Sequence, residues 1–417
     1  MTTWTVVNDD TREKRRRGLV PRIALLACLA LVVVSLGVAL RPGSSPKPAE
    51  PPFSEQARSA ALSEALRLRA AGEQLGQVTG GAGQSAVAGT VSLLTSHARA
   101  LLVPGRDEPA LAVLSPGPAT ASVAASPAAA SSAAPGASES APAPAAPAAV
   151  PLPASPAALA TELAASAAQR LADAEVADGD MARLLAVVGT AQLLEASALA
   201  AAVGAPAPAV PDPAAPVVSG TCPTPSVPPS AHPEGAAAGT DTSPASPATS
   251  GPASGAASGP APAAAAASPA SLAGALAAAA ETELETVYGY QVALTRLGGM
   301  AGQAPELLAR HEALATDAEA LSRIHCAEVP LREAGYTIDQ KFLAAPAAGL
   351  GALEASALPV YGDLVALSEG ETRQWAISGL VGASRRAAFW GAGPGALPGL
   401  AADLDQLPEL PAPSPSP

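Results

Sequence analysis

Between residues 104 and 155, and again between 204 and 269, the chain is almost entirely Ala, Pro, Ser and Gly. Such tracts cannot bury enough apolar area to offset the entropy of ordering them. They therefore divide the chain into folded islands and disordered spacers. Side-chain type narrows what the islands can become. Aromatic residues make up 2% of the 417 residues although 49% are hydrophobic, and roughly a quarter of the chain is alanine. Broad sheets draw on β-branched and aromatic residues. A large β or α/β enzyme is excluded on that ground, and an all-α fold is expected.

Charge separates the N-terminus from the rest. Residues 1–41 hold seven Lys/Arg against three acids, so within the net charge of −13 everything after them carries −17. Arg12, Lys14, Arg15, Arg16, Arg17 and Arg22 precede an uncharged apolar run from Ile23 to Leu40. A helix over that run is about 27 Å long, enough to cross a bilayer core with snorkelling flanks. Residues 1–22 then read as a basic cytoplasmic segment and 23–40 as a single-pass transmembrane signal anchor, with the C-terminal bulk extracytoplasmic. Two alternatives share the stretch. Gly37 and Ala39 fit the −3 and −1 positions of a signal-peptidase site, which gives a secreted chain. Leu25-Leu26-Ala27-Cys28 resembles a lipobox, although the apolar run continues well beyond Cys28. All three place the bulk outside the cytoplasm. The expected partners are the cytoplasmic membrane, through residues 23–40, and a cell-envelope protein or polymer. No basic stripe interleaves with aromatics beyond the N-terminal cluster, so no nucleic-acid partner is expected.

Helical periodicity fills the islands. Patterns over 54–76 and 84–103 are separated by Thr79-Gly80-Gly81-Ala82-Gly83, and patterns over 156–176 and 179–203 break near Gly179. Each pair is an αα-hairpin too short to stand alone. The four should dock as one aliphatic four-helix bundle, 54–103 with 156–203, interrupted by the disordered loop 104–155. The linker 204–269 follows; in polyproline-like stretches it reaches up to ~200 Å. The next domain, 270–392, holds eight of the ten aromatics, with helices expected at 270–297, 304–335, 349–368 and 371–391. Residues 393–417 read as a disordered tail. Cys222 in the linker and Cys326 in the second of these helices face an oxidising compartment. Either they pair, closing a loop of about a hundred residues worth up to ~4–5 kcal/mol, or both remain thiols.

The chemistry-bearing residues gather in 270–392. Leu276, Ala280, Glu283, Val287, Tyr290, Leu294 and Leu297 keep a 4-3 pattern, which sets Glu283 on an apolar seam. A carboxylate there needs a partner, a metal or a raised pKa. His311 and His325 share the seam of the next helix. An antiparallel register about the Gly298-Gly299 turn puts Tyr290 and Gln291 near His311, and Glu283 near Glu319 and Arg323. The favoured reading is buried polar pairing, Tyr290 with His311 and Glu283 with Arg323, with no catalytic residue, cofactor or metal. The alternative is an iron or manganese site built from Glu283, His311, Glu319 and Glu354, with redox or metal-storage chemistry. A di-iron carboxylate bundle needs Glu-x-x-His on two helices. No such pair occurs here, and the fourth helix has no His. Tyr288, Tyr290, Tyr361, Trp375 and Trp390 form either a ligand-binding wall or plain core. His97 reads as a boundary histidine and His232 as a solvated linker residue. Neither a hydrolase triad in strand–turn–helix context nor a phosphate-binding glycine loop is present.

Glu283-x-x-x-Val287-Tyr288-x-Tyr290, the His311 segment, and Arg373, Ala376, Leu380, Ala383, Arg386-Ala387 and Trp390 carry a resemblance. Over about 270–392 the chain resembles the ferritin-like family called domain of unknown function 4439, found in membrane-anchored and secreted proteins of high-GC Gram-positive bacteria. The resemblance implies a ferritin-like four-helix bundle whose metal ligands are largely lost and which has no established reaction. Pro359 and Gly362 interrupt the third helix of that pattern.

Overall fold

The computed structural model describes residues 50–107, 151–209, 213, 215–222 and 271–410. Every regular element among them is helical. They are α1 (Phe53–Val78), α2 (Ala82–Leu101), α3 (Pro156–Val176), α4 (Gly179–Ala202), α5 (Leu272–Leu297), α6 (Ala304–Ile324), α7 (Gln340–Ala344), α8 (Pro346–Leu367) and α9 (Gly370–Phe389), with short 3₁₀ turns at Gly298–Met300 and Leu404–Gln406. Local signals set the boundaries. Ser155 and Ser271 accept hydrogen bonds from Ala158 N and Gly274 N at the starts of α3 and α5. Asp339 does the same for Phe342 N at the start of α7.

Helix α6 ends at Ile324, eleven residues short of the expected limit. Cys326 adopts φ 56°, its N–H bonds Arg323 O at 3.2 Å, and Ala327 N–H bonds Ser322 O at 2.8 Å. This is the Schellman closure, with a cysteine where glycine is favoured. Cys326 is disulfide-bonded to Cys222, Cα to Cα 5.1 Å. Helix α8, in contrast, runs through Pro359 without stopping.

Two helical quartets result. In the first, the hairpins α1–α2 and α3–α4 pack through α1 on α3 and α2 on α4. Its core is Ala, Leu and Val, among them Ala65, Leu68, Leu94, Leu159, Leu163 and Leu199. In the second, hairpins α5–α6 and α8–α9 pack through α5 on α8. The pairs Tyr290–Glu354 and Glu283–Tyr361 show that α5 and α8 are antiparallel. Helices α6 and α8 therefore point the same way, and the long connection 325–345 carries the chain back between them.

The two quartets are not held apart on a tether. Helix α4 is buried without a break from Leu185 to Leu193, because its apolar residues surround the whole axis. One side meets α3 and the other meets α8 and α9, so a single core runs through both quartets. Arg373 reinforces the joint by donating to Ala177 O at 2.6 Å and Val365 O at 3.1 Å. Arg183 bonds Asp363 at 2.5 Å and Gly399 O at 3.0 Å.

Part of the expected tail is ordered for the same reason. Leu397 is buried, and His97 Nε2 lies 2.8 Å from Ala396 O. Arg99 donates to Leu407 O at 2.7 Å and Pro408 O at 3.0 Å. These buried or charged donors satisfy a proline-rich backbone that makes few hydrogen bonds of its own. Helices α4 and α8 are long and apolar enough to cross a membrane by length and composition, and 67% and 56% of their apolar windows are buried within the fold. The segments 1–22 and 23–40, most of 104–155 and 204–269, and His232 lie outside the described residues.

Candidate functional site

Each helix of the second quartet places one charged side chain on its inner seam: Glu283 from α5, His311 from α6, Glu354 from α8 and Arg386 from α9. Glu283, His311 and Glu354 are at most 1% exposed, and Arg386 is 9% exposed. His311 lies between the carboxylates. Its Nδ1 is 2.6 Å from Glu283 Oε2 and its Nε2 is 2.8 Å from Glu354 Oε1. Arg386 Nε donates to Glu354 Oε2 at 2.8 Å. Three aromatic donors close the set. Tyr361 donates to Glu283 Oε1 at 2.5 Å, Tyr290 to Glu354 Oε1 at 2.7 Å, and Trp390 Nε1 to the Tyr290 hydroxyl at 2.7 Å.

With both carboxylates ionised, both ring nitrogens of His311 donate and the ring is an imidazolium. Burial alone would lower the His311 pKa, but its hydrogen bonds to Glu283 and Glu354 outweigh it and raise the value. Burial likewise pushes Glu354 up, and His311 and Arg386 together bring it below the ordinary carboxylate range. The Tyr290 and Tyr361 hydroxyls are pushed up, first by burial and then by Glu354 and Glu283 respectively, so both stay neutral donors. Two cations balance two carboxylates.

In this arrangement the candidate metal-ligating residues engage one another. Each carboxylate oxygen of Glu283 and Glu354 accepts at least one hydrogen bond, and neither nitrogen of His311 has a free lone pair. The carboxylates also approach opposite sides of the imidazole, so their oxygens do not converge. Among the described residues no group of three or more His, Cys, Asp or Glu side chains is placed to hold a metal ion.

The other expected site residues are distributed as follows. Glu319 stands apart from the network, paired with Arg323 at 3.1 Å and Arg332 at 2.8 Å. The expected Glu283–Arg323 pair does not form, because Glu283 meets His311, about three turns closer to the α5–α6 connection. Tyr290 lies against His311, ring centroids 5.0 Å apart, but gives its hydrogen bond to Glu354. Trp375 packs on Tyr361 at 5.5 Å and Trp390 on Tyr290 at 6.2 Å. Tyr288 lies outside the network and contacts Tyr336 at 5.8 Å. His97 is wholly buried rather than at a boundary. Arg386 was absent from the expected pairing, yet its signal is the same as that of Glu283: a charge on the stripe Trp375, Gly379, Ala383, Arg386, Trp390. Gly379 leaves room for the Tyr361 ring, since a Cβ there would lie 2.1 Å from it.

The family model described as domain of unknown function (DUF4439) matches residues 275–402, which include all four charged residues of the network. Neither the curated proteins nor the solved structures contain a match to this chain.

Proposed function

We propose that this chain is a membrane-anchored extracytoplasmic protein whose second quartet is a ferritin-like bundle without a metal centre. In this reading it serves as a non-enzymatic binding or structural module at the cell envelope. The carrying observation is the closed network Glu283–His311–Glu354–Arg386, in which both ring nitrogens of His311 face a carboxylate and a guanidinium pairs with Glu354. The crossover between α6 and α8 is the connection used by ferritin-like bundles. The basic residues before Ile23 and the apolar run to Leu40 support the anchor, with the bulk outside.

Metal analysis tests the reading. Full-length protein in detergent is incubated with iron(II), manganese(II) or zinc(II), dialysed, and assayed for bound metal. Well under one equivalent is expected, in the wild type and in Glu283→Ala alike. One or two equivalents that survive dialysis and disappear in Glu283→Ala would instead establish a metal-binding protein with redox or storage chemistry.

A further inference from the structure

Residues 215–222 form no regular element, yet they lie as a strap against the second quartet. Exposure alternates along it: Pro216 and Val218 are half-buried, whereas Val217 between them is 85% exposed. That is the pattern of an extended segment with one face down. Val218 packs on the shared core, and Ala215 lines the same hollow between α6 and α9 as Leu314, Gly379 and Val381. Gly220 passes close to α6, where a Cβ would lie 3.6 Å from Ile324. The strap ends at Cys222, bonded to Cys326, the residue that closes α6. We propose that this disulfide is a redox latch: a dithiol reductant opens it in the folded protein, frees the strap and uncovers the seam between α6 and α9.

The strap is lightly held apart from the bridge. Among the described residues, none from Ala215 to Thr221 forms a hydrogen bond. A segment with few apolar contacts and no backbone pairing belongs to the part of a fold that opens first. The bridge is also within reach of a reductant. Cys326 is exposed and Cys222 half-buried, and exposed disulfides are the labile ones. Cys326 adopts φ 56°, a left-handed backbone that is costly for any residue with a Cβ. Beneath the strap the wall is thin, because two glycines leave α9 bare. A Cβ at Gly379 would lie 2.1 Å from the Tyr361 ring, and one at Gly382 would lie 3.0 Å from Arg386 Nη1. Directly behind the seam are the Tyr361–Glu283 and Arg386–Glu354 bonds of the buried network. Release of the strap would bring water to them, so the latch couples the redox state to the network.

The exchange balances. A thiolate of the dithiol attacks Cys326 Sγ, and Cys222 leaves as a thiolate that takes up a proton. The reductant's second thiolate then attacks the reductant's own sulfur in the mixed disulfide and releases Cys326. The protein gains two electrons and two protons, and the dithiol ends as a disulfide. This inference goes beyond the binding-module reading and holds whether or not the second quartet takes up metal.

Side-chain labelling tests the latch. Full-length protein in detergent is treated with dithiothreitol without denaturant, its thiols are capped with iodoacetamide, and the reductant is removed. Capped and untreated protein are then labelled by hydroxyl radicals and compared by mass spectrometry. Cys222 and Cys326 should both be capped, and Val218, Leu314 and Val381 should label several-fold faster. Leu94 and Leu163, buried in the first quartet, should not change. A chain carrying both Cys222→Ser and Cys326→Ser should label in the same way with no reductant, which separates release of the strap from the bulk of the capping group. Four results would overturn the latch. Thiols capped only in denaturant would make the bridge a permanent staple. Capping without faster labelling at Val218 and Val381 would show that other contacts hold the strap. A doubly substituted chain that labels like untreated protein would assign the release to the capping group. Faster labelling throughout both quartets would mean that the bridge holds the whole fold.

Discussion

Arg386 Nε lies 2.8 Å from Glu354 Oε2, with the Glu354 side chain fully buried in the centre of four helices. A pair at that depth gives little net stability, because desolvation of both ions nearly offsets their attraction. Removing one partner is a different matter. Glu354→Ala leaves Arg386 as an unpaired buried cation and His311 with Glu283 alone, and Glu283→Ala leaves His311 with Glu354 alone. Each variant should lose roughly 3–5 kcal/mol of unfolding free energy in urea titrations. A loss under about 1 kcal/mol would mean that the network is hydrated and not closed.

Stability should fall on both sides of a window near neutral pH. On the acid side, burial holds His97 at about 4, against an ordinary value of 6.5. The unfolded chain therefore takes up a proton before the folded one does, and stability drops as pH falls from about 6.5 to 4, by roughly 3 kcal/mol in all. On the alkaline side, the raised His311 value means that its contribution is complete below the unfolded value and lost as pH rises through the folded one. Thermal unfolding across pH would show both limbs. His97→Gln, which keeps a donor for Ala396 O, should flatten the acid limb alone.

Reduction of Cys222–Cys326 should destabilise without unfolding. The bond spans 104 residues of sequence, so opening it restores loop entropy worth up to ~4–5 kcal/mol in the chain-entropy model. Chemical denaturation with and without a thiol reductant measures the difference. Cys326→Gly should recover part of the loss, since glycine adopts the left-handed conformation at that position without a Cβ penalty.

Gly379→Ala tests the packing around Tyr361. The added Cβ would lie 2.1 Å from the ring, with α8 and α9 both fixed by neighbours. Overpacking of this kind costs about 1–3 kcal/mol, and the displaced tyrosine would lose its hydrogen bond to Glu283. Near-ultraviolet circular dichroism would register the shift of Tyr361 against Trp375. An unchanged spectrum and midpoint would refute the close contact.

Much of the fold is legible in the sequence where a signal is local. The eight long helices follow from apolar periodicity and from glycine and proline punctuation, which act within a few residues. The joining of the quartets is legible only in retrospect. Leu184-Leu185-Ala186-Val187-Val188 is apolar on every side of α4, and an isolated four-helix bundle has no second partner for such a helix. The early end of α6 was hidden because cysteine, unlike glycine, does not announce a left-handed residue. At the site, Glu283 and His311 were conspicuous as polar residues on apolar seams. Their pairing was not, because register between helices depends on the tilt and depth of packing, which sequence spacing does not contain. Arg386 bears the same mark, but it also lies in the last turn of its helix, where a basic residue is favoured by the dipole whether or not it is buried.

The protonation of His311 is the most direct test of the network. Full-length protein labelled with ¹⁵N in the imidazole rings of its four histidines would be followed by NMR from pH 6 to pH 8. With its pKa raised above the ordinary histidine value, His311 should keep protons on both ring nitrogens at pH values where a free imidazole is neutral, and Glu354→Gln should abolish that persistence. A His311 ring that loses a proton at the pH where free imidazole does, or that shows one unprotonated nitrogen throughout, would contradict the imidazolium and with it the closed ion-pair network.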